Sequence, residues 1–182
     1  QKKRRWQYDS YKKITKDICY VNLKKLSFYD FYKILPELEK ARSIIIDLRY
    51  GYSVSLSRFL NHILKKRDLS DQGRIFQVPL IVYPDFEDVT YDIQGWPQYK
   101  VYPQLKSKMV FIVDRNISAI ESILSFIEHY KLGTIVGQQT GGTNGNVNAF
   151  VLPGFYKIRW TGMRVLKQDG SQHHGIGFLP HE

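Results

Sequence analysis

Arg115–Gly145, RNISAIESILSFIEHYKLGTIVGQQTGGTNG, is the stretch on which the fold turns. It follows Met109–Val113, MVFIV, an apolar run of strand length. Asp114, Arg115 and Asn116 break that run, and from Ala119 the apolar residues fall at 119, 120, 123, 124, 126, 127 and 130. That spacing predicts a helix over 118–130, with Ser118 at its start. A helix start offers unpaired N–H groups and the positive end of the macrodipole. Two readings of Ser118 follow. It caps the helix with Glu121 at N3, a Ser-x-x-Glu capping box, or it is a nucleophile held beside ready-made oxyanion donors.

Downstream, Thr134-Ile135-Val136 predicts a short strand, and four glycines then fall between 137 and 145. Such a loop must turn tightly or approach something closely. Strand, serine, helix, strand and glycine loop, in this order, resemble the catalytic core of the C-terminal processing, or tail-specific, serine peptidases of family S41. That family carries its nucleophile three residues before a glutamate, which here is Ser118 before Glu121. The glycine ending the family's next strand falls at Gly137, the loop threonine at Thr140 and a following glycine at Gly142, without a gap.

The resemblance extends over most of the chain. Asp17–Leu23, DICYVNL, is similar to the family's opening strand, and Ile44–Arg49, IIIDLR, to its Ile-Asp-Leu-Arg motif. In the family a glycine-rich loop follows that arginine and supplies one oxyanion donor. Here the loop is Tyr50-Gly51-Tyr52-Ser53, which makes Gly51 the candidate donor and the amide of Ala119 the second. Asp47 and Arg49 read either as part of that motif's function or as an ion pair at a strand end. The closing Gly170…Gly175-Ile176-Gly177…Pro180 resembles the family's last segment, with His181 where the family has an aspartate.

The departure concerns the general base, without which a serine hydroxyl is a weak nucleophile. The family's main branch uses a lysine twenty-five residues beyond the serine; here that residue is Thr143, and no lysine stands between Lys131 and Lys157. Other branches, tricorn-like and nisin-resistance-type, bring a histidine from upstream. Of the five histidines in this chain, His62 reads as a helix-surface residue and His129 as a helix-end residue facing the dipole. His181 reads as mobile. His173 and His174 lie in the closing segment, which the resemblance places by the core, and His174 is the candidate base.

The remaining elements follow from periodicity. Ser27 precedes a helical pattern through Phe31, Ile34, Leu35 and Leu38, interrupted by Pro36. Ser43–Leu48 is a continuous apolar run, the kind of strand that helices cover on both faces. Ser53–Lys66 is helical in spacing, and Ile75–Tyr83 strand-like. Residues 84–108 read as a functional loop or a small sheet extension, whose aromatic content would suit an apolar substrate side chain. Val147–Leu152, Tyr156–Trp160 and Met163–Leu166 are short strands. The sum is an α/β domain with an antiparallel extension. The resemblance makes it a crotonase-like (ClpP/crotonase-type) core, with Ile45 and Val113 in core strands and Gly175–Gly177 near the loop 137–145.

At 182 residues the chain suits one domain, divided as a basic lead-in, 1–16, and a peptidase core, 17–182. It opens at Gln1, so upstream sequence is expected. A hydrophobic content of 43% makes disorder unexpected. The net charge of +10 suits an anionic partner, and a basic module of that kind is the alternative reading that sets the family aside. Its charges are spread apart from Lys2–Arg5, and no nucleic-acid-binding signature accompanies them, so nucleic acid is not the expected partner. Cys19 stands alone in an apolar strand and reads as a buried, inert thiol. No run of eighteen apolar residues suggests a membrane span.

No metal or other cofactor is implied. The resemblance implies a peptide or protein substrate and an extracytoplasmic location. It leaves two functions open: a serine peptidase, or a degenerate domain that binds peptide uncut.

Overall fold

The computed structural model describes residues 9–49, 54–65, 75–77, 93–94, 97–115, 118–161 and 163–181. In chain order the elements are β1 (Tyr11–Lys13), β2 (Ile18–Asn22), α1 (Phe28–Lys40), β3 (Ser43–Asp47), α2 (Val54–Ile63), β4 (Ile75–Gln77), β5 (Ile93–Gln94), β6 (Lys108–Val113), α3 (Ile120–His129), β7 (Thr134–Gly137), β8 (Val147–Leu152), β9 (Tyr156–Thr161) and β10 (Met163–Val165). The central sheet runs β1-β2-β3-β6-β7, with β1 antiparallel to β2 and the other neighbours parallel. The lead-in 1–16 therefore contributes a strand. Of the expected strand Ile75–Tyr83, 78–83 lie outside the described residues, as do 84–92 and 95–96 of the connection that follows.

Each parallel neighbour is reached through one helix, and the sheet grows in one direction from β2 to β7. Crossovers of one hand then place all three helices on the same face. The burial pattern agrees. Val21, Ile44, Ile46, Phe111 and Val113 are at most 1% exposed, while Ile45, Val110 and Ile112 on alternate positions are only half-buried. The expectation that Ser43–Leu48 is covered on both faces is thus corrected. Its apolar continuity conceals a period of two, because Ile45 is as apolar as its buried neighbours.

Ser27 caps α1: its Oγ accepts from Asp30 N at 3.1 Å and donates to the Asp30 carboxylate at 2.6 Å. The helix runs on through Pro36, which is exposed. Phe31 of α1 meets Phe59 of α2 edge to face, ring centroids 6.3 Å apart. His62 is buried rather than on the surface, because α2 packs that face against the chain at 103–105. Its Nδ1 lies 2.8 Å from the Pro103 carbonyl. Cys19 is buried, with Tyr11 Oη 3.5 Å from its sulfur.

Beyond the core, β10-β4-β5 form a small antiparallel sheet and β8-β9 a separate ribbon. The ribbon pairs Phe150 with Ile158 and Leu152 with Tyr156 on one face, all four exposed. These are the antiparallel extension expected from the short strands.

Candidate active site

The carboxyl ends of β6 and β7 lie side by side, Val113 opposite Gly137. In parallel α/β sheets that is where ligands are taken. The loops leaving both strands build the site. A Cβ at Gly137 would stand 2.2 Å from the Val113 carbonyl, and φ there is +125°, so only glycine lets the two strand ends approach.

Helix α3 begins at Ile120 with Ala119 as its cap, and no side chain caps it. Ser118 therefore stands one residue before the cap. It is exposed, and its Oγ donates to the Thr143 carbonyl at 3.1 Å. The capping-box reading is corrected, because the Glu121 carboxylate points inward. Glu121 Oε1 accepts from Thr140 Oγ1 at 2.5 Å and from Gly142 N at 2.7 Å, while Oε2 accepts from Asn144 N at 2.9 Å. Residues 120–127 are all buried, so the helix has no solvent face along that span. A charge in a helix buried all round needs partners, and the loop 140–144 supplies them.

The closing segment locks onto the other side of that loop. Gly175 N donates to Gly142 O at 2.7 Å, Thr140 N to Phe178 O at 3.1 Å, and Phe178 N to Thr140 Oγ1 at 2.8 Å. Thr140 is thus clamped from both sides, its hydroxyl donating to Glu121 and accepting from Phe178. A Cβ at Gly142 would meet three backbone nitrogens, of Gly175, Ile176 and Gly177, at 2.7–2.8 Å. The expected proximity of Gly175–Gly177 to the loop 137–145 is what the structure shows. His181 is anchored as well, by Ile135 N to its Nδ1 at 3.2 Å and by its own N to Ile135 O at 2.8 Å. It closes the edge of β7 instead of moving freely.

The two adjacent histidines differ. His173 is fully buried; Asn144 Nδ2 lies 3.0 Å from its Nε2 and 2.7 Å from Ser122 Oγ. Burial, then the charges of Lys167 and His174, push its pKa down to about 4. A neutral imidazole accepting at Nε2 carries its proton on Nδ1, and that nitrogen has no partner among the described residues. His174 is half-buried, with Nδ1 3.1 Å from the Asn144 carbonyl. Ser118 and His174 therefore hang on the carbonyls of consecutive residues, Thr143 and Asn144. No hydrogen bond joins Ser118 to His174.

Asp47 is buried and bound by Arg49 Nε at 2.9 Å, Arg49 Nη2 at 2.7 Å and Tyr20 Oη at 2.6 Å. Burial alone would raise its pKa; the hydrogen bonds from Arg49 and Tyr20 outweigh that and hold it below the ordinary carboxylate value. The pair fastens the end of β3, as the strand-end reading supposes. Gly51, with 50–53, lies outside the described residues. His129 ends α3 and packs edge-on against Tyr130, ring centroids 4.7 Å apart. Among the described residues no cluster of metal-ligating side chains occurs.

Sequence reasoning missed the loop-holding roles of Glu121 and Asn144. The available signal was a carboxylate among seven apolar positions in an eleven-residue stretch, 117–127.

Residues 17–182 match the sequence profile of Peptidase family S41. No curated protein matches the chain. The fold resembles a candidate peptidase from Parabacteroides merdae, at 14% identity and TM-score 0.72, over 93% of this chain and 55% of that one. It also resembles mature CPAF, solved with lactacystin, at 14% identity and TM-score 0.64, over 90% and 46%. A third likeness is the photosystem II D1 C-terminal processing protease, at 16% identity and TM-score 0.57, over 90% and 41%. The chain spans about half the length of these structures.

Proposed function

We propose, from the premise that this chain belongs to peptidase family S41, that it is a serine-type peptidase domain of crotonase-like fold and tail-specific type. Its substrate is peptide or protein, and Ser118 is its nucleophile. The observation that carries the reading is the bond from Ser118 Oγ to the backbone of residue 143. An exposed hydroxyl is held against the glycine loop and caps nothing.

In this reading Ser118 Oγ attacks the scissile carbonyl carbon and its proton passes to a base. The developing oxyanion faces the amides of Ala119 and Gly51. His174 is the base. Its Nδ1–H donates to Asn144 O, which leaves the Nε2 lone pair for the serine proton, the tautomer that general-base catalysis needs. Ser118 must first turn away from the Thr143 carbonyl, which cannot take a proton. Thr140 and Gly142 shape the loop, and Thr143 stands where the main branch of the family has lysine. An extracytoplasmic location belongs to the same proposal. Among the described residues, no helix is long and apolar enough to cross a membrane.

The second reading, a domain that binds peptide without cutting it, is favoured by the same bond, since the hydroxyl is spent on a carbonyl. Labelling by a fluorophosphonate separates the two. The first expects modification at Ser118, abolished by Ser118→Ala and slowed by His174→Ala. Peptide binding without labelling would establish the second, and labelling that survives Ser118→Ala would overturn the nucleophile.

A further inference from the structure

Ser107 and Leu132, which precede β6 and β7, help to line a cleft of about 580 Å³. It lies at the amino ends of these strands, whereas Ser118 follows the carboxyl end of β6. Ile63, Leu105 and Met109 give the cleft an apolar floor, each 5–6% exposed. The wall 101–107 is stitched to the helices. Val101 N donates to Asn61 O at 3.1 Å, Leu105 N to His62 O at 2.8 Å, and Ser107 Oγ to Ala41 O at 2.6 Å. Gln104 is spent on the same stitching, its Nε2 donating to Val101 O at 2.6 Å. The cleft is therefore preformed, and its neutral donors Gln104 and Ser107 are already engaged.

Lys65, Lys100, Lys106 and Lys131 line this cleft, and among the described residues no carboxylate and no arginine does. The four come from separate segments: Lys65 follows α2, Lys100 and Lys106 flank the stitched wall, and Lys131 follows α3. All are exposed, and none has an ion pair among the described residues. Lys100 Nζ stands 5.3 Å from the ring centroid of Tyr102, which also lines the cleft. A lysine just past a helix is ordinarily explained by the negative end of the dipole. Each such end carries about half a charge, so α2 and α3 together offset about one of the four. The remainder stands over an apolar floor, and a cleft of one sign with low-dielectric walls focuses its field on an incoming anion. Lys131 adds a second observation. Its φ is +50°, in the left-handed region where a helix end favours glycine, so a charge is kept there at a cost in strain.

We propose that this cleft binds a soluble oligophosphate, a chain of two or more phosphoryl groups. Lysine ammonium groups are compact point charges that suit a tetrahedral oxyanion, whereas a planar carboxylate is matched best by the arginine fork, which the cleft lacks. A lone phosphate would leave part of the positive charge uncompensated, while a chain distributes its charge among lysines from separate segments. Scattered lysines are ordinary in a chain of net charge +10. What sets these apart is their convergence on one preformed concavity without a counter-charge. The proposal stands apart from the peptidase reading, because cleft and serine lie at opposite ends of the parallel strands.

The test is calorimetric titration with inorganic tripolyphosphate. It compares the unaltered chain with the double variant Lys106→Gln, Lys131→Gln, and with Lys12→Gln, Lys157→Gln, which removes the same charge from β1 and β9, outside the cleft. Saturable binding of one equivalent is expected, weakened about tenfold or more in the cleft variant and far less in the control. The altered lysines are all exposed, so both variants should keep the fold, which circular dichroism checks. Tetraglutamate, a peptide of comparable charge, should bind the unaltered chain more weakly than tripolyphosphate. Equal weakening in the two variants would reveal diffuse attraction to net charge and overturn the site, as would binding that does not saturate. Tetraglutamate binding as tightly as tripolyphosphate, or more so, would overturn the choice of phosphate.

Discussion

Glu121 Oε1 takes the Thr140 hydroxyl at 2.5 Å, across nineteen residues of sequence and wholly inside the protein. With Gly142 N and Asn144 N on the same carboxylate, one side chain determines where three loop residues sit. Glu121→Ala would leave three buried donors unmatched. The expected loss is roughly 3–9 kcal/mol, since each orphaned donor costs about 1–3. Glu121→Gln keeps the volume but turns an amide N–H₂ toward a donor, and should cost about 1–3 kcal/mol. Urea midpoints measure both. Wild-type stability in Glu121→Gln would mean that the carboxylate does not hold the loop.

His173 makes stability depend on pH. Its pKa is about 4 when folded, against an ordinary 6.5, so the unfolded chain binds the proton first as pH falls. Its contribution is complete above pH 6.5 and is lost progressively toward pH 4. The shift corresponds to on the order of 3 kcal/mol. In His173→Gln the unfolding midpoint should vary less steeply across that window. An unchanged slope would show that another group is responsible.

Thr143→Lys is a gain-of-function test. Thr143 is exposed, so a longer side chain has room, and its own carbonyl already receives the Ser118 hydroxyl. An amine at this position should serve as base and raise the rate of fluorophosphonate labelling by about 10²-fold, the low end for general-base assistance. The rate should climb with pH as the ammonium loses its proton. No acceleration at any pH would place residue 143 out of reach of the serine.

Two glycines separate backbone conformation from close approach. Gly170 (φ +84°) has nothing within 4 Å of an added Cβ, whereas at Gly177 (φ +82°) that atom would stand 2.1 Å from the Thr140 carbonyl. Gly170→Ala should cost about 1–2 kcal/mol, the strain of the left-handed region alone. Gly177→Ala should cost roughly 2 kcal/mol more, because overpacking is added. Equal losses would mean that the closing segment does not press on the loop.

The core elements were legible because helices and strands repeat at different periods. Phe31, Leu35 and Leu38 mark α1, and Val147–Leu152 agrees with β8 end to end. The pairing of Ser118 with residue 143 came from the family's serine-to-lysine interval, and the structure brings the two together. Local spacing misjudged what depends on partners distant in sequence. Ser118-x-x-Glu121 has the form of a cap, yet Glu121 is claimed by residues 140–144. Lys12 and Lys13 hide a strand that only pairing with Cys19 and Tyr20 creates. His62 reads as surface until the chain returns at Pro103 to cover it.

The β8–β9 ribbon has a colloidal consequence. Its outer edges pair with no other described strand, and Phe150, Leu152, Tyr156 and Ile158 form an uncovered apolar strip. Edges of this kind invite pairing between copies. Here repulsion stands against it, through a net charge of +10 and through Lys157 and Arg159 on the ribbon's other face. The range of that repulsion shrinks from about 30 Å at 0.01 M salt to about 8 Å at 0.15 M. Light scattering should therefore find dispersed chains in dilute buffer and clusters as salt is added, with replacement of the strip by threonines restoring dispersal. Salt acts here as the adhesive.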